Sequence, residues 1–125
     1  MGKLVGRKKA IVEFGLDAHR WTYDQLKAGV LAADVAKNYI ALFKKCGYYD
    51  NYLYGPCHGT GLIEVEAPWM ESISDYHLAE NMTFQVDTFV STEEFGIRWE
   101  TGVAIRKDRA EVLSQPIGKI YEIGV

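Results

Sequence analysis

The chain is short of several things, and each shortage narrows what it can be. No apolar run approaches the roughly 20 residues that a bilayer-spanning helix needs, and the first residues carry no apolar signal core. No membrane partner and a cytoplasmic location are therefore expected. There are two cysteines, Cys46 and Cys57, and neither sits in a CxxC pair, which argues against a structural zinc site and gives little ground for a disulfide. Positive charge is not in surplus: 14 Lys and Arg face 17 Asp and Glu, a net charge of -3, so there is no electrostatic case for nucleic acid. The single basic run, Lys3 to Lys9, reads as a solvated end. Repeats, low-complexity tracts and linkers are missing too, so residues 1–125 read as a single domain or part of a larger one.

What is present suits a packed core, with 48% hydrophobic and 25% charged residues. The clearest pattern predicts one long helix from about Thr22 to Cys46. Thr22 and Gln25 form a capping-box pair, and Leu26, Val30, Ala33, Ala36, Ile40 and Phe43 recur at helical spacing. Lys44 and Lys45 suit a last turn, and Gly47 suits the position just beyond it. Gly29 weakens this helix or marks close packing. Tyr48 to Pro56 is a tyrosine-rich loop. Its rings either fold over the edge of the core, the simpler reading, or line a pocket.

The remainder reads as strands. Gly61 to Glu66 is a candidate strand whose glycine-rich start suggests close approach of another backbone, and Pro68 is expected to end it. Ser74 to Glu80 is a polar connector. Met82 to Val90 alternates, with Phe84, Val86, Thr88 and Val90 on one face and Thr83, Gln85, Asp87 and Phe89 on the other. In the next strand, Phe95 to Arg106, the residues Arg98, Glu100 and Gly102 share a face opposite Ile97, Trp99 and Val103. Ala110 to Leu113 pairs across Lys107-Asp108-Arg109. A helix followed by a mostly antiparallel sheet is an α+β arrangement.

Three residues carry the chemistry. His58 opens His58-Gly59-Thr60-Gly61-Leu62, Asp87 lies among apolar neighbours, and Glu100 follows Trp99. An imidazole and two carboxylates on separate segments suit a divalent metal. Buried carboxylates must also be paired or ligated, and Arg98 is placed to pair with Asp87 or Glu100. On the residues alone, that ion pair is the simpler reading. Cys57 beside His58 could be read as a nucleophile with its base, but adjacent residues of an extended segment point to opposite faces, so a small inert thiol is the better reading.

Four ordered motifs shift the balance. They are His58 to Leu62, then Val65-Glu66-Ala67-Pro68, then Met82 to Asp87, and Gly96-Ile97-Arg98-Trp99-Glu100; Glu111-Val112-Leu113-Ser114 closes the series. The stretch from Gly55 to Leu113 resembles the C-terminal half of the pita-bread metallohydrolases of the M24 type. That family includes methionine aminopeptidase, aminopeptidase P, prolidase and the metal-free creatinase. Its motifs run His-Gly-x-Gly-Leu, His-Glu-x-Pro, Met-x-x-Thr-x-Glu-Pro and Gly-x-Arg-x-Glu.

The resemblance implies half of a pita-bread fold, with a long helix packed on a curved sheet. It implies His58 and Glu100 as ligands of a dinuclear centre, Glu100 bridging, and Asp87 where a glutamate usually ligates. Manganese, cobalt, zinc or iron would suit, weakly held by this chain alone because the family's first-half Asp-x-Gly…Asp segment is absent. Val65 replaces the substrate-facing histidine and can neither donate a hydrogen bond nor move a proton. Glu66 beside it is the candidate acid or base, and His77, Arg98 and Tyr54 are candidate substrate contacts.

Two functions follow as expectations. One is an Xaa-Pro peptidase-like hydrolase, incomplete as an isolated chain, using metal-bound water on a small peptide or amide. The other is a non-catalytic peptide- or protein-binding domain, or a metal-independent creatinase-like hydrolase. A homodimer, or a separate N-terminal half, would cover the sheet face that a half-fold leaves open.

Overall fold

The computed structural model describes residues 3–114 and 119–123. Two helices precede a five-stranded sheet. Helix α1 spans Gly6–Gln25 and helix α2 spans Ala32–Lys45; a single 3-10 turn, Tyr49–Asn51, leads into strands β1 Cys57–Gly59, β2 Glu66–Met70, β3 Thr83–Ser91, β4 Gly96–Ile105 and β5 Ala110–Val112. The order across the sheet is β2-β1-β3-β4-β5, and every neighbouring pair is antiparallel. The α+β class is as expected.

The single helix expected over Thr22 to Cys46 is instead the end of α1, a connector and α2. Gly29 adopts φ +87° in that connector, a left-handed conformation that glycine adopts without steric cost. The connector's amides find partners elsewhere: Ala28 N donates to Arg106 O at 3.0 Å, Gly29 N to Leu78 O at 2.8 Å, and Leu78 N to Val30 O at 2.8 Å. Hydrogen bonds to the sheet side thus replace helical ones. The expected cap at Thr22 lies inside α1, where its hydroxyl donates to Ala18 O at 2.9 Å; Leu31 occupies the N-cap position of α2, without a side-chain hydrogen bond.

Helix α1 escaped the sequence reading because its buried stripe is chemically mixed. Ile11, Val12, Gly15, Leu16, Ala18, His19 and Thr22 face inward at helical spacing, but a glycine, a histidine and a threonine blur the apolar periodicity. The end of α2 is as read: Lys44 and Lys45 occupy its last turn, and Gly47 follows at φ +75°.

Both helices lie on one face of the sheet. Leu26, Ala32 and Val35 pack with Phe84, Val86, Val103 and Ile105, and Ala18, Tyr39 and Phe43 pack with Val90. The alternation read for β3 and β4 holds, and it leaves Gln85, Asp87, Arg98 and Glu100 on the face away from the helices.

Of the expected strand Gly61 to Glu66, only Glu66 is in a strand, as the first residue of β2. A register shift falls between His58 and Gly59, and the chain loops before β2 begins. The close approach expected of the glycines is real, since a β-carbon on Gly59 would meet Glu66 O and Ala67 O at 2.7 Å. Pro68 lies within β2 rather than ending it, which its position on an edge strand permits.

Gly15 is where α1 meets β4, and a β-carbon there would come within 2.5 Å of the Trp99 ring. Gly15→Ala is expected to destabilise the chain by about 1–3 kcal/mol through overpacking, despite alanine's better helix propensity. Urea unfolding checks this, with an unchanged midpoint as the contrary result.

Candidate metal centre

The sheet assembles the site. Asp87 and Glu100 are direct cross-strand partners on β3 and β4, and His58 on β1 lies opposite Gln85 of β3. Two carboxylates facing each other repel, so this ladder position requires positive charge. Two sources are at hand.

Arg98 is the first. Its Nε reaches Asp87 Oδ1 at 2.8 Å and an Nη reaches Asp87 Oδ2 at 2.9 Å; the same Nη lies 3.0 Å from Glu100 Oε2. Asp87 is 2% exposed, and this fork satisfies both its oxygens. The paired carboxylates in turn hold the guanidinium pKa above its already high ordinary value, chiefly through the hydrogen bonds to Asp87. The ion pair expected from the residues alone is thus present.

The second source would be a cation. Ligand atoms of His58, Asp87 and Glu100 all lie within 4.8 Å of one another. His58 Nδ1 is 3.0 Å from Gly59 O; a carbonyl only accepts, so in the neutral ring the proton sits on Nδ1 and Nε2 presents a lone pair. That lone pair lies 3.3 Å from Glu100 Oε1 and 3.8 Å from Asp87 Oδ2. Among the described residues, His58 Nε2 and Glu100 Oε1 are buried without a hydrogen-bond partner. Two acceptors facing each other at this distance call for a cation or a proton between them. His58 and Glu100 therefore fit a divalent metal, while Asp87 fits only by sharing its oxygens with Arg98.

A cavity of about 630 Å³ opens beside His58 and Asp87, walled by Tyr52, Tyr54, Val65, Trp69, Ile73 and Arg98 among others. The tyrosine loop therefore takes both roles. Tyr48 stacks on Phe14 at 4.3 Å and covers the core edge, while Tyr52 and Tyr54 face the cavity. Tyr54 also stacks on Phe89 at 5.6 Å and lies 6.0 Å from the Arg98 guanidinium.

Two candidates stand apart. The Glu66 carboxylate accepts from Ile63 N at 3.2 Å and lies against Gly61, so it braces the loop between β1 and β2 and is not part of the cavity wall. His77 is exposed, and its backbone bridges to Leu31. Cys57 points into the core, and burial holds its thiol pKa far above the ordinary range, as its register with His58 implied.

Sequence reading missed a buried polar cluster directly behind the site. His19 of α1 lies 3.2 Å through Nδ1 from Thr88 Oγ1. Through Nε2 it lies 3.1 Å from Thr101 Oγ1 and 2.7 Å from the Tyr23 hydroxyl. Thr88 follows Asp87 and Thr101 follows Glu100, so one imidazole pins both carboxylate-bearing strands from the helix side. Nothing in the spacing of His19 distinguishes it from a surface histidine.

A family model described as metallopeptidase family M24 matches residues 2–107. The chain belongs to this family. Among solved structures, X-Pro aminopeptidase from Thermotoga maritima is 26% identical, with a TM-score of 0.89 over 98% of this chain and 35% of its own. Dipeptidase PepE from Mycobacterium ulcerans is 20% identical, with a TM-score of 0.92 over 100% of this chain and 34% of its own. Xaa-Pro dipeptidase from Bacillus anthracis is 23% identical, with a TM-score of 0.83 over 100% of this chain and 34% of its own. The latter two likenesses are of fold. The chain thus spans about a third of the length of each. No curated protein matches. The M24 family uses divalent metals, and the group of His58, Asp87 and Glu100 could bind one.

Two tests follow. Arg98→Ala leaves the buried Asp87 charge unpaired and is expected to cost about 2–3 kcal/mol in metal-free buffer, less than for a fully enclosed pair because Arg98 is partly open to water. Adding Asp87→Asn should recover most of it, as denaturant titration of the single and double variants would show.

Burial pushes the His19 pKa down to about 4, only partly offset by the Asp87 charge. Above pH 6.5 both folded and unfolded chains leave it neutral. As pH falls from 6.5 to 4 the unfolded chain takes up a proton that the folded chain refuses, so up to about 3 kcal/mol of stability is lost; below that the slope vanishes. Unfolding of the wild type and His19→Gln across this window should show the slope in the former and its loss in the latter.

Proposed function

We propose that this M24 chain carries one side of a hydrolytic metal centre acting on a small peptide or amide of the Xaa-Pro type. The observation that carries the reading is the pair of buried, unpartnered acceptors, His58 Nε2 and Glu100 Oε1, 3.3 Å apart beside an apolar, aromatic-walled cavity. A divalent ion held there would polarise the scissile carbonyl and activate water toward attack. Manganese, cobalt, zinc and iron all accept such a nitrogen and oxygen set.

The chain's own residues set the conditions. The Nδ1 proton on Gly59 O fixes the His58 ring with its lone pair inward. Arg98 neutralises part of the carboxylate charge and shares the cavity wall with Tyr54. Tyr52 and Trp69 offer apolar surface to substrate side chains, and Val65 adds bulk without a proton to give. His58 and Glu100, with an Asp87 shared with Arg98, would hold a metal weakly. Ligands from another polypeptide segment, or from a second copy of the chain, would complete the centre.

The hold of Arg98 on both Asp87 oxygens favours a second reading, a metal-free domain that binds peptides in the same cavity. Titration with manganese, cobalt and zinc, followed by thermal unfolding, separates the two. The metal reading expects stabilisation that grows with concentration, about 2.7 kcal/mol at a hundred times Kd, and that disappears in His58→Ala. An unmoved melting temperature at millimolar metal would reject it and leave the peptide-binding reading.

A further inference from the structure

Among the described residues, four buried side-chain polar atoms lack a hydrogen-bond partner, and a third of these, besides His58 Nε2 and Glu100 Oε1, is Gln85 Oε1. Gln85 occupies the same sheet face. It is the direct ladder partner of His58 on β1, and across β4 it faces Gly102, one step along that face from Glu100. Gly102 has no side chain, and Gln85 Oε1 fills the room this leaves, 3.5 Å from where a β-carbon would stand. Diagonal neighbours on an antiparallel pair are within reach of long side chains, and Glu100 is the diagonal neighbour of Gln85 across β4.

The centre is short of the kind of atom Gln85 offers. Both Asp87 oxygens are taken by Arg98, which leaves a cation one nitrogen and one free carboxylate oxygen. Amide carbonyls are competent ligands for hard divalent ions and add no charge. A buried acceptor left without a donor is costly to the folded chain, and a cation would satisfy it.

We infer that Gln85 is an oxygen ligand of the metal centre, supplying through its amide carbonyl the contact that Arg98 withholds at Asp87. The inference rests on the metal reading above, and its test separates the two. Manganese binding is measured by calorimetry on the wild type, Gln85→Met and Gln85→Glu, and the visible absorption of each is recorded with cobalt. Methionine keeps the length and bulk of glutamine but removes the oxygen. It is expected to weaken manganese binding about 10- to 100-fold, the range seen when metal-site partners are lost. It should also raise the cobalt band intensity as coordination number falls, and leave the metal-free melting temperature unchanged or higher. Glutamate is expected to bind manganese several-fold more tightly than wild type.

Wild-type affinity and an unaltered cobalt spectrum in Gln85→Met would overturn the inference while leaving the metal reading intact. Absence of manganese binding by the wild type would overturn both. Should Gln85→Met fail to fold, Gln85→Glu decides alone: binding no tighter than wild type overturns the inference.

Discussion

The site depends on one electrostatic constraint, the facing of Asp87 and Glu100 across adjacent strands. Two carboxylates at one ladder rung, one of them almost wholly removed from water, cannot persist without compensating charge. Arg98 supplies part of it from within the same strand as Glu100. The remaining lone pairs converge on a point that His58 also faces. The polar face of the sheet is thereby organised around a place for positive charge.

That constraint explains the division of labour between the two sheet faces. The helix side supplies rigidity through Phe84, Val86, Val90 and the helices packed over them. His19 adds a polar pin there, holding Thr88 and Thr101 one residue beyond each carboxylate. A strand that shifted by a single residue would exchange the core set for the ligand set, so core packing and site geometry enforce one another.

The sequence was most legible where one periodicity dominated. β3 and β4 alternate cleanly, and their faces were readable from Phe84 to Val90 and from Ile97 to Val103. His58, Asp87 and Glu100 were legible as a group because each sits in one of the ordered motifs, and the fold brings their ligand atoms within 4.8 Å of one another. The helices were less so. α1 buries Gly15, His19 and Thr22, residues whose inward placement comes from contacts with Trp99, Thr88 and Thr101 on strands distant in sequence. The break between the helices was hidden because its cause is also distant: the connector's amides are satisfied by Leu78 and Arg106. Glu66 and His77 were suggested by neighbourhood in sequence, whereas the fold turns Glu66 into its own loop and leaves His77 at the surface.

That connector ties together parts of the chain that would otherwise be independent. Ala28 and Gly29 give their protons to carbonyls at the end of β4 and in the segment before β3, and Leu78 returns one to Val30. The helix junction and the far end of the sheet therefore share a set of backbone bonds that cannot open piecemeal. Solvent exchange of these amides is therefore expected to report a joint opening of the two regions rather than fraying of one loop.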